Sequence, residues 1–255
     1  YRQKEEWQKE AVMHFRAGEA KEALSMYHDR GLLEIGKGQG ESRKSIVRDY
    51  TAHREEKPQE SSLVLAGTNK EVDLLNKEIR AELRSLGFVK AETEAPAIVH
   101  TSKRKQERHF AEGDRVVFLK NNSGIGVQNG LMGEVLAVEK DARGHARFLD
   151  IKTDKKEQVR VDLFNYDRLD HAYAVTGYKS QGATLDRVFV QGSPQMDKSA
   201  AYVMMSRQKI EAKLYVNLDD FGVKNLEPLI SRRQPSLFAE MERRLEAEKM
   251  AQMIE

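Results

Sequence analysis

The stretch that narrows the choice of fold most is "SSLVLAGTNKEVDLLNKEIRAELRSLG", residues 61–87. Leu63, Val64 and Leu65 form a short unbroken apolar run, the pattern of a strand covered on both faces. Thr68 and Glu71 follow at capping-box spacing, in which the hydroxyl takes an amide of the first turn and the carboxylate reaches back. Val72, Leu75, Ile79 and Leu83 then recur on one helical face until Gly87 ends the pattern. A buried strand feeding an amphipathic helix implies a parallel sheet with helices laid on it, an α/β layer.

Other segments carry the same texture. Residues 4–30 predict a helical hairpin: Trp7, Ala11 and Phe15 share a face, Gly18 interrupts, Ala23, Leu24 and Tyr27 continue, and Gly31 stops it. Gly36 to Gly40 predicts a loop, and Glu41 to Arg54 a helix. From Tyr173 the strands "YAVT" and "RVFV" are expected, then a helix through "SAAYVMMSRQ", the strand "KLYVNL" and two further helices after Phe221. The last of these, from Phe238, is charged and amphipathic. The middle differs. From about Gly113, "DRVVFLK", "GEVLAVEK", "ARFLDIK" and "EQVRVDL" alternate apolar and polar residues between glycine turns, as in a small inserted β module.

Composition limits the function classes. With 39% hydrophobic residues in 255, the chain can build one large or two small cores. A net charge of +2 neither demands nor excludes a polyanionic partner, so any basic surface must come from local clustering. The absence of cysteine removes disulfides, thiol nucleophiles and thiolate metal sites. No run of about 18 apolar residues occurs, so membrane insertion is not expected and a cytoplasmic location is. The first residue is Tyr1 and not methionine, from which an upstream region is expected.

"GQGESRKS", from Gly38 to Ser45, approaches the phosphate-loop pattern G-x-x-x-x-G-K-[ST], with Gly38, Lys44 and Ser45 in place. Arg43 stands where the second glycine belongs, and its side chain would fill the tightest part of the cradle. A solvated helix start is the reading here, with a nucleotide enzyme using this loop kept as a rival. The seven histidines are scattered without ligand spacing, so no metal site is assigned, and no hydrolase triad is evident.

"HAYAVTGYKSQGATLDRVFV", residues 171–190, breaks two apolar strands with a polar cluster. Its hydroxyls, amide and ammonium at a strand's carboxyl end suit phosphate oxygens, although a solvated strand-to-turn connection would look alike. Downstream, the apolar "AAYVMMSRQK" ends in Ser206 and Arg207. An arginine held at the end of a buried helix is aimed at an anion, either a ligand or a structural carboxylate.

"YAVTGYKSQGATLDRVFV" followed by "YVMMSRQK" resembles motifs V and VI of superfamily 1 DNA helicases of the RecD-like branch, usually T-x-H-K-S-Q-G and Y-V-A-L-S-R-A-R. The N-terminal "YRQKEEWQKEAVMHFRAGEAKEALSMYHDRGLL" and "LVLAGTNKEVDLLNKEIRAEL" resemble the helicase portion of conjugative relaxases of the TraA/MobA type. Tyr178 replaces the usual histidine, and Thr184 an acidic residue. The resemblance implies a RecA-like parallel-sheet domain, 2A, with an SH3-like barrel, 2B, inserted in it. Residues 1–112 would begin domain 2A, 113–168 form 2B, 169–233 complete 2A with motifs V and VI, and 234–255 make a terminal helix.

It further implies that Arg2 and Arg207 reach the γ-phosphate of ATP, with Gln3, beside Arg2 in motif IV, and Gly182 also at the nucleotide. Thr68, Asn69, Thr176, Tyr178, Lys179, Ser180 and Gln181 would contact single-stranded DNA or link it to ATP. ATP and Mg2+ would be bound mainly by a missing upstream RecA-like domain, beside relaxase domains of the same polypeptide in a bacterial cytoplasm. The chain alone, without Walker A and B motifs, is expected to be inactive. The rival from another class is a stand-alone nucleic-acid-binding or adaptor module on a degenerate RecA-like fold.

Overall fold

The computed structural model describes residues 2–38, 40–101, 104–180, 182–194 and 196–222. In chain order the first elements are α1 (Glu6–Ala17), α2 (Ala20–His28), β1 (Leu33–Gly36), α3 (Glu41–Glu56), β2 (Ser62–Ala66) and α4 (Asn69–Ser85). There follow β3 (Ala95–His100), β4 (Lys105–Phe110), β5 (Arg115–Phe118), β6 (Met132–Lys140), β7 (Ala146–Thr153), β8 (Gln158–Asp162) and β9 (Leu169–His171). β10 (Ala174–Thr176), β11 (Leu185–Gln191), α5 (Lys198–Met205) and β12 (Gln208–Asn217) complete the described chain. Two compact units emerge, one from residues up to Val72 and from Val175 onward, the other Asp73–Ala174.

The first unit is an α/β layer around a sheet of order β1-β12-β11-β2-β10, in which β1, β12, β11 and β2 run parallel. Leu63, Val64 and Leu65 are buried, as an apolar run in a central strand requires. α3 covers one face, where Tyr50 packs edge-on against Phe189 with ring centroids 5.7 Å apart. The helical hairpin forms as its periodicity predicts: Gly18, at φ 84°, ends α1 in the left-handed region, and Trp7 meets Tyr27 edge-on at 5.2 Å. α1 packs on α2 and α5.

Two boundaries differ from the sequence reading. Gly36 belongs to β1, a strand too short to show alternation, which exists because it pairs with β12 from Leu33↔Leu214 to Gly36↔Asn217. α5 stops at Met205, and Gln208 already belongs to β12, because the ladder with β11 begins at Leu185↔Gln208. The helices expected after Phe221, including the charged tail, lie outside the described residues.

The second unit carries an antiparallel sheet of order β8-β7-β6-β5-β9 and the hairpin β3-β4. The four alternating segments become β5 to β8, and Val116, Phe118, Val135, Leu149, Ile151 and Val161 point into one core. Ala95, Ala97, Val99 and Phe110 of the hairpin join that core. The sequence reading omits β3, β4 and β9: β3 carries a proline, β4 is polar and β9 is three residues long.

Candidate phosphate and nucleic-acid site

The polar cluster after β10 is a closed loop. Gly177 N–H donates to the carbonyl of Ala66 at 3.3 Å, joining the carboxyl ends of β10 and β2. A 3-10 turn follows over Tyr178–Ser180, with Lys179 N–H on Thr176 Oγ1 at 3.4 Å. Ser180 is buried and donates its hydroxyl to the Gly177 carbonyl at 2.6 Å, so it holds the turn's shape. Tyr178 projects outward with 80% of its surface exposed, and Lys179 is half-buried. Gly182 has φ 87°, which lets the chain leave the turn. Gln181 lies outside the described residues.

Thr68 and Asn69 follow the adjoining end of β2. The capping box is present: Glu71 N–H donates to Thr68 Oγ1 at 3.2 Å, while the Glu71 carboxylate accepts from the Thr68 N–H and hydroxyl, both at 2.9 Å. Asn69 is exposed at the first position of α4. The structure therefore brings Thr68, Asn69, Thr176, Tyr178 and Lys179 to neighbouring strand ends, where parallel sheets gather ligands.

The arginines gather elsewhere in the same unit. Arg207 connects α5 to β12, and its carbonyl accepts from Leu185 N–H at 3.1 Å, which puts it at the amino ends of β11 and β12. Its side chain is only 7% exposed, and Nε donates to the Val203 carbonyl at 2.7 Å. Among the described residues no carboxylate pairs with it. Burial, then the charge of nearby Arg2, pulls its pKa below the ordinary arginine value. Arg2 is exposed and donates from Nε to Thr184 Oγ1 at 2.8 Å. Gln3 is buried, and its Nε2 donates at 3.2 Å to the carbonyls of Ser206 and Gln208, clamping the chain on either side of Arg207. Arg2 thus lies near enough for its charge to oppose that of Arg207, which is largely buried and has no carboxylate partner among the described residues. Thr184, noted in the sequence only as replacing an acidic residue and given no role there, joins the cluster through a contact 182 residues away.

The near-match to a phosphate loop does follow a strand and precede a helix, β1 and α3. Amides at its start, however, are taken by the chain itself. Glu41 accepts from Lys37 N–H at 2.7 Å and from the Gly38 amide, bonds that lower its carboxyl pKa. Ser42 N–H donates to Asn217 Oδ1 at 3.0 Å. An internal carboxylate occupies the place a phosphate would need. Among the described residues no group of three or more His, Asp or Glu is arranged to hold a metal ion, and no helix is long and apolar enough to cross a membrane.

Fold and cluster together define an α/β region built on a largely parallel sheet, with polar loops at its strand ends. The chain is 33% identical over 223 residues to the probable conjugal transfer protein TraA of Sinorhizobium fredii (strain NBRC 101917 / NGR234), covering 87% of this chain and 19% of that protein. It is 32% identical over 236 residues to the conjugal transfer protein TraA of Rhizobium radiobacter, covering 92% and 20%. The ATP-dependent DNA helicase Pif1 of Psychrobacter sp. (strain PRwf-1) is 27% identical over 204 residues, covering 56% and 30%. No family model matches. In fold, the chain resembles Pif1 helicase from Bacteroides in complex with ADP-AlF3 and single-stranded DNA, with TM-score 0.53, 18% identity and coverage of 85% and 50%. A structure of two coordinating Pif1 helicases on forked DNA gives TM-score 0.52 at 15% identity, covering 97% and 54%. The chain spans about a fifth of the length of its TraA relatives, to a segment of which it is homologous.

Proposed function

We propose that this chain is the second motor domain, 2A, of an ATP-dependent DNA helicase or translocase of the RecD-like branch, within a conjugative transfer relaxase acting in the bacterial cytoplasm. Its partners are single-stranded DNA and the other domains of the longer polypeptide. The observation that carries the reading is Arg207: a guanidinium withdrawn from water, with Arg2 beside it and no carboxylate partner among the described residues. Two guanidiniums so arranged stabilise charge that develops on a transferring phosphoryl group. A lysine in either place would supply a point charge without the fork that matches phosphate oxygens.

In this reading another segment holds the triphosphate and Mg2+, and the metal neutralises β- and γ-phosphate charge when bound. Arg2 and Arg207 close on the γ-phosphate across an interdomain cleft, and Gln3 keeps the junction that carries Arg207 fixed. Thr176, Tyr178, Lys179, Ser180, Gln181 and Gly182 form the loop that couples nucleotide state to the DNA strand, with Thr68 and Asn69 on the same track. Tyr178 supplies an exposed ring for base stacking. The unit Asp73–Ala174 carries the SH3-like 2B insertion. Closure on ATP and release after hydrolysis would shift the loop along DNA.

The test is Arg207→Ala in the full-length protein. ATP turnover should fall on the order of 10³-fold, as for loss of an arginine finger, while binding to a single-stranded oligonucleotide is retained. Normal turnover would remove Arg207 from the mechanism.

A further inference from the structure

The segment that leads out of the second unit ends in a strand with little ladder of its own. β10 is three residues long and, among the described residues, stands at the edge of its sheet with β2 as its one neighbour. A strand that short is weakly held by backbone pairing alone. Its first residue and the one before it are held by a side chain. Asn76, in α4 and 8% exposed, accepts on Oδ1 from the N–H groups of Tyr173 at 2.9 Å and Ala174 at 2.8 Å. Its Nδ2 donates back to the Ala174 carbonyl at 3.0 Å. Two amide donors facing one atom identify that atom as oxygen, which settles the orientation of the side chain.

The side-chain amide thus serves Ala174 as a neighbouring strand would, pairing both of its backbone groups. One helical turn further, Arg80 grips Asp114, and Asp114 accepts the Tyr173 hydroxyl at 2.6 Å. His171 Nε2 lies 3.0 Å from the carbonyl of His109. His171, Tyr173 and Ala174 are therefore anchored inside the second unit, up to the first residue of the strand that carries Thr176.

We propose that Asn76 is a positioning residue for the loop after β10: it holds the chain at Tyr173 and Ala174, the latter two residues before Thr176, and so fixes where the turn over Tyr178–Ser180 begins. The consequence for DNA rests on the helicase reading above; the latch itself does not. Only asparagine meets the geometry. Alanine removes all three bonds, aspartate keeps the acceptor but sets a charge against the Ala174 carbonyl, and glutamine moves the amide outward by a methylene.

Two measurements decide it. In amide hydrogen exchange on the whole chain, Asn76→Ala should exchange Tyr173 and Ala174 about tenfold faster, the scale of one lost hydrogen bond, while Val188 to Val190 of β11 stay as protected as before. Asn76→Asp should accelerate them less, because the acceptor remains. Unchanged exchange at Tyr173 and Ala174, or equal acceleration in β11, overturns the latch. In the full-length protein, Asn76→Ala should raise the half-saturating concentration of a single-stranded oligonucleotide about tenfold, with turnover at saturating DNA within about twofold of the parent. A fall in turnover with unchanged half-saturation overturns the positioning role. Absence of DNA-stimulated turnover in the unmutated full-length protein overturns the helicase reading and the DNA effect with it, while the exchange result still decides the latch.

Discussion

Asp114 is the most exacting place to test the energetics of the second unit. The carboxylate is fully buried and accepts from Arg80 Nε at 2.8 Å, Arg80 Nη2 at 3.0 Å, the Tyr173 hydroxyl at 2.6 Å and Ala111 N–H at 2.7 Å. Asp114→Ala strands those donors, chief among them a guanidinium with little solvent. Removing one partner of a buried pair costs about 3–5 kcal/mol, and Glu94, 2.8 Å from Arg80, moves the expectation to about 3 kcal/mol. With a urea dependence of about 1–3 kcal/mol per molar, the midpoint should drop by about 1–3 M. Trp7, the single tryptophan, belongs to the other unit, so circular dichroism or exchange at β6 and β7 is the suitable probe. Arg80→Met combined with Asp114→Leu should cost less than Asp114→Ala alone, because no charge is left unpaired. A midpoint unchanged by Asp114→Ala would refute the reasoning.

The same residue sets a pH dependence. Burial by itself would raise the Asp114 carboxyl, but His171, whose Nε2 lies 3.8 Å from Oδ2, and the Arg80 guanidinium overcome it and hold the group well below the usual carboxylate range. The folded value is depressed, so the stabilisation is present above the unfolded value of about 3.9 and is lost as pH falls further toward the folded one. Asp114→Asn should remove that part of the acid dependence.

Further predictions concern the loops. In Gly177→Ala the new Cβ would lie 2.6 Å from Met204 Cγ and 3.0 Å from its Sδ. Cγ lies near the backbone end of a fully buried side chain and cannot simply swing aside, so a loss of about 1–3 kcal/mol in thermal unfolding is expected, and a variant as stable as the parent would show that the approach is not tight. Lys44→Ala should leave ATP binding by the full-length protein unchanged in calorimetry, because Glu41 already occupies the amides of Lys37 and Gly38. Loss of binding would restore the phosphate-loop reading.

Features written within a few residues were legible in advance. The capping box of Thr68 and Glu71, the glycine stop at Gly18 and the alternating runs of β5 to β8 all follow from neighbours one to four positions apart. β1 was not, because four residues show no period and the strand exists only through β12, some 180 residues on. Asn76 reads as one more polar residue on an amphipathic helix until Tyr173 and Ala174 close on it.

What could be read from the chain alone was therefore which polar residue types it offers and which elements carry a period of their own. Which of them are spoken for emerged from the folded arrangement: Ser180 closing its own turn, Glu41 filling its own amides, Arg207 buried with no carboxylate beside it among the described residues. Local periodicity is written in adjacent residues. Desolvation and hydrogen-bond partnership depend on groups up to about 200 positions apart, and only folding brings those together.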